Sequence, residues 1–207
     1  ESTMRIHSIG LCPLLAMLAL TVADAPTVLA QGTTAITYAP DGRLQFPKDY
    51  RNWVYLSSGM NMSYAADAAT RSNRFENVFV NPEAQSAFLK TGKWPDKTIF
   101  VLEIRAAEQN GSINKNGFFQ AAVGNREAHV KDSRLKGGWG FFAFEGEAPT
   151  RLIPQTADCY SCHEAHGAAD TTFVQFYPTL LPLAAEKKTL SAGYLADEAA
   201  AKSGTHP

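Results

Sequence analysis

The sequence has few cysteines, no excess of charge of one sign and no internal repeat. Three cysteines in 207 residues are too few for a fold that depends on a framework of several disulfides. With 19 basic and 20 acidic residues the formal net charge is −1, so the charge balance gives no reason to expect nucleic acid or an anionic membrane surface as a partner. Without a repeat, a solenoid or propeller is not predicted.

The chain also lacks an apolar run of the length of a transmembrane helix, which needs about 20 residues. Its main apolar run covers residues 11–22, follows a basic residue and precedes small or modest residues at 28–30. This order is typical of a secretory signal peptide. We therefore expect residues 1–30 to be removed, and the mature protein to be periplasmic and free of the membrane. An uncleaved N-terminal anchor is the alternative, because Pro13 and Pro26 bound the run.

The remaining sequence predicts an α+β fold, mainly an antiparallel β-sheet with a few helices. Runs that are rich in aromatic and β-branched residues predict strands. These are residues 50–56, 76–80, 98–105, 117–123 and 138–144. Residues 82–91 predict a helix that ends at Gly92, and residues 171–183 predict a helix with a proline interruption.

One folded domain is expected over residues 41–186, which is long enough to bury a sizeable core. Residues 31–40 predict a polar N-terminal arm. Residues 187–207 are rich in alanine, lysine and small polar residues, and we expect a flexible, solvated tail that is in part helical.

Two of the cysteines form a Cys-x-x-Cys-His motif near the C-terminal end of this domain, Cys159 to His163. Two thiols on one turn can form thioethers to the two vinyl groups of a haem, while the adjacent histidine binds the iron. The motif therefore predicts one covalently bound haem c, with Cys159 and Cys162 as attachment points and His163 as the proximal iron ligand. The alternative is a disulfide or redox pair with an incidental histidine.

The ligand on the other face of the iron decides between electron transfer and ligand chemistry. No methionine follows the motif, although Met60 and Met62 precede it. His166 is too close in sequence to His163 to reach the opposite face, and a residue such as His129 is more often a surface or hydrogen-bonded histidine. We expect a five-coordinate iron that is open to a diatomic gas or a substrate nitrogen. An electron carrier closed by His129 or Met62 is the alternative.

Several phenylalanines are available to line a haem pocket, and Phe75 and Phe100 are predicted to do so. The full set is Phe75, Phe79, Phe100, Phe118, Phe119, Phe141 and Phe142. An aromatic-rich strand also forms an ordinary core, so most of these side chains need no cofactor to explain them.

With these features the sequence resembles the cytochrome P460 family, which includes the cytochromes c′-β. The matching stretches are residues 44–54, 75–83, 91–104, 116–119, 130–133, 138–144, the Cys-x-x-Cys-His motif and 176–178. They follow one another in the family's order through nearly the whole mature domain. The resemblance implies a homodimeric, mainly antiparallel β protein with a five-coordinate c haem.

The resemblance also implies how the family divides by function. Its hydroxylamine-oxidising members carry a lysine that is cross-linked to the porphyrin, and that position falls on Leu102, which has no amine. Lys97 is the nearest substitute, but along a strand it has the opposite parity. The leading hypothesis is therefore a c′-β-like protein that binds NO and CO, for scavenging or detoxification.

One residue supports the enzymatic alternative, which is oxidation of hydroxylamine to N2O or NO. The carboxylate that accepts a proton near the substrate in those enzymes aligns with Glu127. In a strand, Glu127 and His129 would face the same side, so the resemblance implies a polar distal pair with Glu127 as the base. A solvated surface glutamate is the alternative. The sequence does not identify a periplasmic redox partner.

Overall fold

The computed structural model describes residues 36–64 and 73–204. The predicted signal peptide lies outside these residues, as do residues 31–35 of the predicted arm. Within them, no helix has both the length and the apolar character that crossing a membrane requires.

The centre of the fold is one five-stranded antiparallel sheet. Its strands are β1 (Val54–Met60), β2 (Arg74–Val80), β3 (Ile99–Glu108), β4 (Phe119–Lys131) and β5 (Trp139–Phe144). They follow one another in sequence order across the sheet, and every neighbouring pair is antiparallel. The predicted α+β class with a mainly antiparallel sheet is confirmed.

Within the described residues, four helices and two short 3₁₀ segments surround the sheet. The helices are α1 (Pro82–Thr91), α2 (Asp158–His166), α3 (Leu181–Glu186) and α4 (Ala192–Ser203), and the 3₁₀ segments are Tyr50–Asn52 and Val174–Phe176. Helix α1 has the predicted bounds. It begins at Pro82, whose missing N–H is not needed in the first turn, and ends at Gly92, which adopts φ 69° and donates its N–H to the Phe88 carbonyl.

The two faces of the sheet pack against different parts of the chain. The first core lies under the helices and includes Val80, Phe88, Trp94, Phe100, Trp139, Tyr177 and Tyr194. The second core lies on the other face and includes Leu44, Phe46, Tyr50, Val101, Val130 and Phe142. Because side chains alternate along a strand, β2, β3 and β5 contribute residues to both cores.

Glu103 is a buried acidic group on the face of the sheet that carries the second core, and it is only 2% exposed. Its carboxylate accepts hydrogen bonds from the Tyr50 hydroxyl and from the guanidinium groups of Arg51 and Arg105. Burial alone would raise the pKa of Glu103, but the bonds from Arg105, Tyr50 and Arg51 outweigh it and lower the pKa to about 2. This network lies on the opposite face of the sheet from helix α2.

Three segments differ from the sequence expectation. The first predicted strand starts only at Val54, because Tyr50–Asn52 forms a 3₁₀ turn. The segment expected as a helix over residues 171–183 is helical only at Val174–Phe176 and in α3, because a tight turn precedes the first piece and Pro178 separates the two.

The predicted tail also differs. Helix α4 occupies most of it, and Tyr194 is buried in the first core, so the tail is not solvated throughout. Ser191 caps this helix by accepting a hydrogen bond from the Tyr194 N–H. The hydrophobic residues of α4 are spaced too irregularly to predict from sequence that this helix packs on the first core.

Candidate haem site

A cavity of about 940 Å³ lies between helix α2 and the face of the sheet that carries the first core. This volume is in the upper part of the range of about 300–1,000 Å³ that is typical of cofactor and ligand sites. The sheet contributes Ser57, Gly59, Arg74, Glu76, Val78, Phe100, Leu102, Ile104, Asn125, Glu127, His129 and Phe141. The C-terminal region contributes Asp158, Cys159, His163, Thr172, Phe173, Phe176 and Tyr177.

The Cys-x-x-Cys-His motif lies on α2 and not in a turn as the sequence suggested. Residues three and four positions apart are neighbours on one helix face, so Cys159 is close to both Cys162 and His163. Cys159 and His163 line the cavity, and both cysteines are free, partly buried thiols. Burial raises the pKa of each thiol.

The imidazole of His163 is oriented by a single hydrogen bond. Its Nδ1 lies 2.8 Å from the carbonyl oxygen of Thr171. Because a carbonyl can only accept, Nδ1 carries the hydrogen and Nε2 keeps a free lone pair. Burial lowers the pKa of His163, which favours this neutral form, although the bond to Thr171 opposes the effect. An imidazole with Nδ1 bound to a carbonyl and Nε2 free is the arrangement of an iron-ligating histidine, so the donor set fits a haem.

The Thr171 carbonyl belongs to a tight turn, Ala169–Thr172. Asp170 and Thr171 both have positive φ angles, 51° and 59°, and the Thr172 N–H donates to the Ala169 carbonyl. Two central residues with positive φ make this a type I′ turn, which favours asparagine and glycine. A β-branched residue such as Thr171 is unfavourable there.

Gly167 allows this turn to approach the end of α2. A Cβ atom at this position would lie 2.6 Å from the His163 carbonyl oxygen and 2.7 Å from the Thr171 carbonyl carbon. Any larger residue would therefore push the turn away from the histidine that it orients.

His129 lies beside His163 rather than across the cavity from it. Its ring stacks on Phe141 with centroids 4.0 Å apart and meets the His163 ring edge to face at 4.8 Å. Two imidazoles that bind one haem iron lie on opposite faces of the porphyrin. The alternative of an electron carrier closed by His129 is therefore not supported by this geometry.

The His129 side chain has an unusual environment for a polar group. It is 8% exposed, and its Nε2 has no hydrogen-bond partner within the part of the chain that the structure describes. Desolvation lowers its pKa well below the ordinary value, with a further contribution from His163, so the ring is neutral. The sequence expectation of a surface or hydrogen-bonded histidine was wrong.

Leu102 and Glu127 both line the cavity. They are direct partners across β3 and β4, so their side chains lie next to each other on the same face. Lys97 does not line the cavity: its ammonium pairs with Asp132 at 2.8 Å. The cavity wall therefore presents the methyl groups of Leu102.

The carboxylate of Glu127 is accessible through the open cavity but is surrounded by protein. Desolvation raises its pKa, Glu76 adds to this effect and Arg74 opposes it. The Glu127 side chain therefore lies in the cavity wall and is also exposed to solvent.

The predictions for the phenylalanines divide between the two faces of the sheet. Phe100 is buried and lines the cavity, as do Phe141 and Phe142. Phe75 was wrongly expected in the lining, because Glu76 and Val78 face the cavity and its odd-numbered position puts it on the other face. Phe118 and Phe119 are partly exposed near the β3–β4 connection and do not line the cavity.

Sequence reasoning missed several lining residues. Arg74 and Glu76 form an ion pair at 2.6 Å on the cavity wall, and their alternation with Val78 along β2 is the signal that could have found them. Phe173 packs on the His163 ring with centroids 4.1 Å apart. It lies in a segment that was expected to be helical, so its direction was not predictable. His166, which was not expected to bind the iron, has its Nδ1 2.7 Å from the Asp197 carboxylate on α4.

These features define a class of protein in which a cavity between an antiparallel sheet and a Cys-x-x-Cys-His helix holds a haem. Residues 47–174 match the family model for cytochrome P460, and this is more than half of the chain. The chain belongs to the cytochrome P460 family, as its resemblance predicted. Membership indicates a c-type haem protein with haem as its cofactor. A comparison with curated proteins gives no match.

Proposed function

We propose that this protein is a cytochrome of the c′-β kind that binds NO, and also CO, at a five-coordinate haem c and serves in NO scavenging or detoxification. Cys159 and Cys162 would form the thioethers, and His163 would hold the iron. When bound, the haem supplies an iron whose remaining axial position takes a small diatomic ligand. The observation that carries the proposal is Leu102, a leucine in the cavity wall where the oxidising members have an amine.

The rest of the wall supports a small neutral ligand. Apolar and aromatic side chains form much of the cavity wall: Val78, Phe100, Leu102, Ile104, Phe141 and Phe173. Together they favour a diatomic gas over a charged substrate.

The sequence proposed His129 and Met62 as internal sixth ligands, and of these Met62 remains. It is one of the described residues that line the cavity. Its side chain packs directly over Gly59 of β1, where a Cβ atom would overlap its sulfur. This contact with the edge strand β1 holds the Met62 thioether against the sheet. An electron carrier with Met62 on the iron would have to release that contact.

The second candidate function is hydroxylamine oxidation, and Glu127 is the observation that favours it. A carboxylate with a raised pKa in the cavity wall is suited to accept a proton from a bound substrate. Oxidation to N2O or NO also releases electrons, so this activity needs an external electron acceptor, for which a periplasmic redox protein is the expected class.

Export and dimerisation are part of the proposal. The apolar run at residues 11–22 supports a signal peptide and hence a periplasmic location, where c-type haem attachment takes place. The family resemblance supports a homodimer.

Optical spectra and a hydroxylamine assay on the purified holoprotein test the choice between the two functions. We expect a high-spin haem that binds NO and CO and leaves hydroxylamine unconsumed in the presence of an artificial electron acceptor. Steady consumption of hydroxylamine that is lost in Glu127→Gln would instead establish the second function. Exposed Glu164 on α2 provides the control variant Glu164→Gln, which should behave as the unchanged protein.

A further inference from the structure

We propose that Asp170 is a positioning residue for the axial histidine: it anchors the turn whose Thr171 carbonyl orients His163. The inference rests on the proposed ligation of iron by His163. It concerns how His163 is oriented and how strongly it donates electrons to the iron, neither of which is specified by the proposed gas binding.

Local preference does not account for the shape of the turn at Thr171, although aspartate is a favourable residue at position 170. Asp170 and Thr171 have φ angles of 51° and 59°, and threonine is β-branched. The Thr171 hydroxyl is also buried, with no hydrogen-bond partner within the described ranges. A turn with this sequence needs support from its surroundings to persist.

Asp170 provides that support by linking the turn to the sheet. Its carboxylate accepts hydrogen bonds from the Lys131 ammonium at the end of β4 and from the indole N–H of Trp139 on β5, the latter at 3.4 Å. The side chains of Asp170 and Lys131 are 31% and 26% exposed, so water weakens their attraction less than on an open surface.

The anchor extends to the other end of the turn. The Lys131 ammonium also donates to the Trp94 carbonyl at 2.9 Å, and the Trp94 indole N–H donates to the Thr172 hydroxyl at 2.9 Å. The Thr172 hydroxyl in turn donates to the Ala169 carbonyl at 2.6 Å. Lys131 thus supports the turn directly through Asp170, and indirectly through Trp94 and Thr172.

The position of the turn matters because the Thr171 carbonyl lies at hydrogen-bonding distance from His163 Nδ1. A strong bond at Nδ1 makes the imidazole a better electron donor through Nε2. Loosening the turn would weaken that bond, and with it the iron–histidine bond. The reduction potential would rise, because a weaker donor stabilises ferric iron less.

A purely structural role for Asp170 is the competing explanation, in which it only fastens the C-terminal region to the sheet. The two roles differ in their spectroscopic consequences. A structural fastening predicts a loss of stability alone, whereas a positioning role predicts a change in the iron–histidine bond of molecules that remain folded.

The test compares the ferrous holoprotein with Asp170→Asn, Asp170→Ala and Lys131→Gln by resonance Raman spectroscopy and redox titration. Asparagine tolerates positive φ and keeps the shape of aspartate without its charge. We expect the iron–histidine stretching band to move to lower frequency and the potential to rise in all three, most in Asp170→Ala. Asp197→Asn removes the carboxylate paired with His166 and should change neither quantity.

A second variant keeps the test decisive if Asp170→Ala does not fold. Thr171→Gly relieves the unfavourable φ, so adding it to Asp170→Asn should return the band toward its original frequency. An unchanged band and potential in folded Asp170→Asn and Lys131→Gln would overturn the proposal. If His163→Ala keeps the original band, the iron ligand itself is misassigned, and the proposed function fails independently of NO binding by the Asp170 variants.

Discussion

Leu102 and Glu127 face each other directly across β3 and β4, and both side chains line the cavity beside the Cys-x-x-Cys-His helix. An apolar group and a carboxylate thus occupy adjacent positions in the wall. We proposed that the first stands where the hydroxylamine-oxidising members of the family have an amine, and that the second is available as a base. The chemistry of the site depends on which of these two neighbours dominates.

Replacing Leu102 with lysine tests the assignment of this position. The new amine would enter the cavity wall next to the haem edge, and we expect a cross-link that shifts the ferrous Soret band to longer wavelength. Leu102→Met is the matched control, because it fills similar space without an amine. If the lysine variant binds haem and keeps the original Soret band, the alignment of β3 with the family is wrong.

The raised pKa of Glu127 predicts how its replacement affects stability. The folded protein disfavours the carboxylate, so its cost is present above the raised pKa and absent well below the ordinary value of 4.5. Glu127→Gln should therefore raise the melting temperature of the haem-free protein at pH 7, and this gain should shrink as the pH falls toward 4.5.

Thermal melts of both proteins across that pH range measure the effect, with Glu164→Gln as the control. An equal gain at both ends of the range would show that desolvation of Glu127 is not the cause.

Glu103 gives the opposite pH dependence. Its pKa is lowered to about 2, so its contribution to stability is complete above the ordinary value of 4.5 and is lost as the pH falls through about 2. Removing one partner of a buried ion network destabilises strongly, and we expect Glu103→Gln to cost about 3 kcal/mol at pH 7.

Urea unfolding of both proteins at pH 7 and at lower pH checks this. Because Glu103 is on the face of the sheet away from the cavity, NO binding by folded Glu103→Gln should be unchanged. Altered NO binding would show that the two faces are coupled.

Gly167 is predicted to be intolerant of any side chain. A Cβ atom would lie 2.6 Å from the His163 carbonyl oxygen, and because this neighbour is backbone it cannot move aside freely. We expect Gly167→Ala to cost about 1–3 kcal/mol and to weaken the bond between Thr171 and His163. Gly124→Ala on β4 is the control, since its Cβ would meet only the Ile104 carbonyl, at an ordinary 3.5 Å. Equal stability of the two variants would contradict the close approach of the turn to α2.

The sequence predicted those parts of the fold that follow from local pattern. Helix α1 has both of its ends marked by Pro82 and Gly92, and its bounds were correct. The β3 strand begins with an apolar run, residues 99–102. The alternation along β4 predicted Glu127 and His129 on one side of the strand, and both line the cavity.

Features that depend on tertiary contacts were not predictable. The Ala169–Thr172 turn was not predicted, because Thr171 is a poor residue for a type I′ turn and Lys131 stabilises the turn from a distant strand. The burial of His129 likewise depends on Phe141 and His163, which reach it only through the folded sheet and α2.

Gas binding at an open haem iron is tested most directly by an optical and EPR titration of the ferrous holoprotein with NO. We expect a high-spin, five-coordinate haem that converts to a nitrosyl spectrum on addition of NO and that also binds CO. A low-spin, six-coordinate haem that ignores both gases would contradict it and indicate an internal ligand such as Met62.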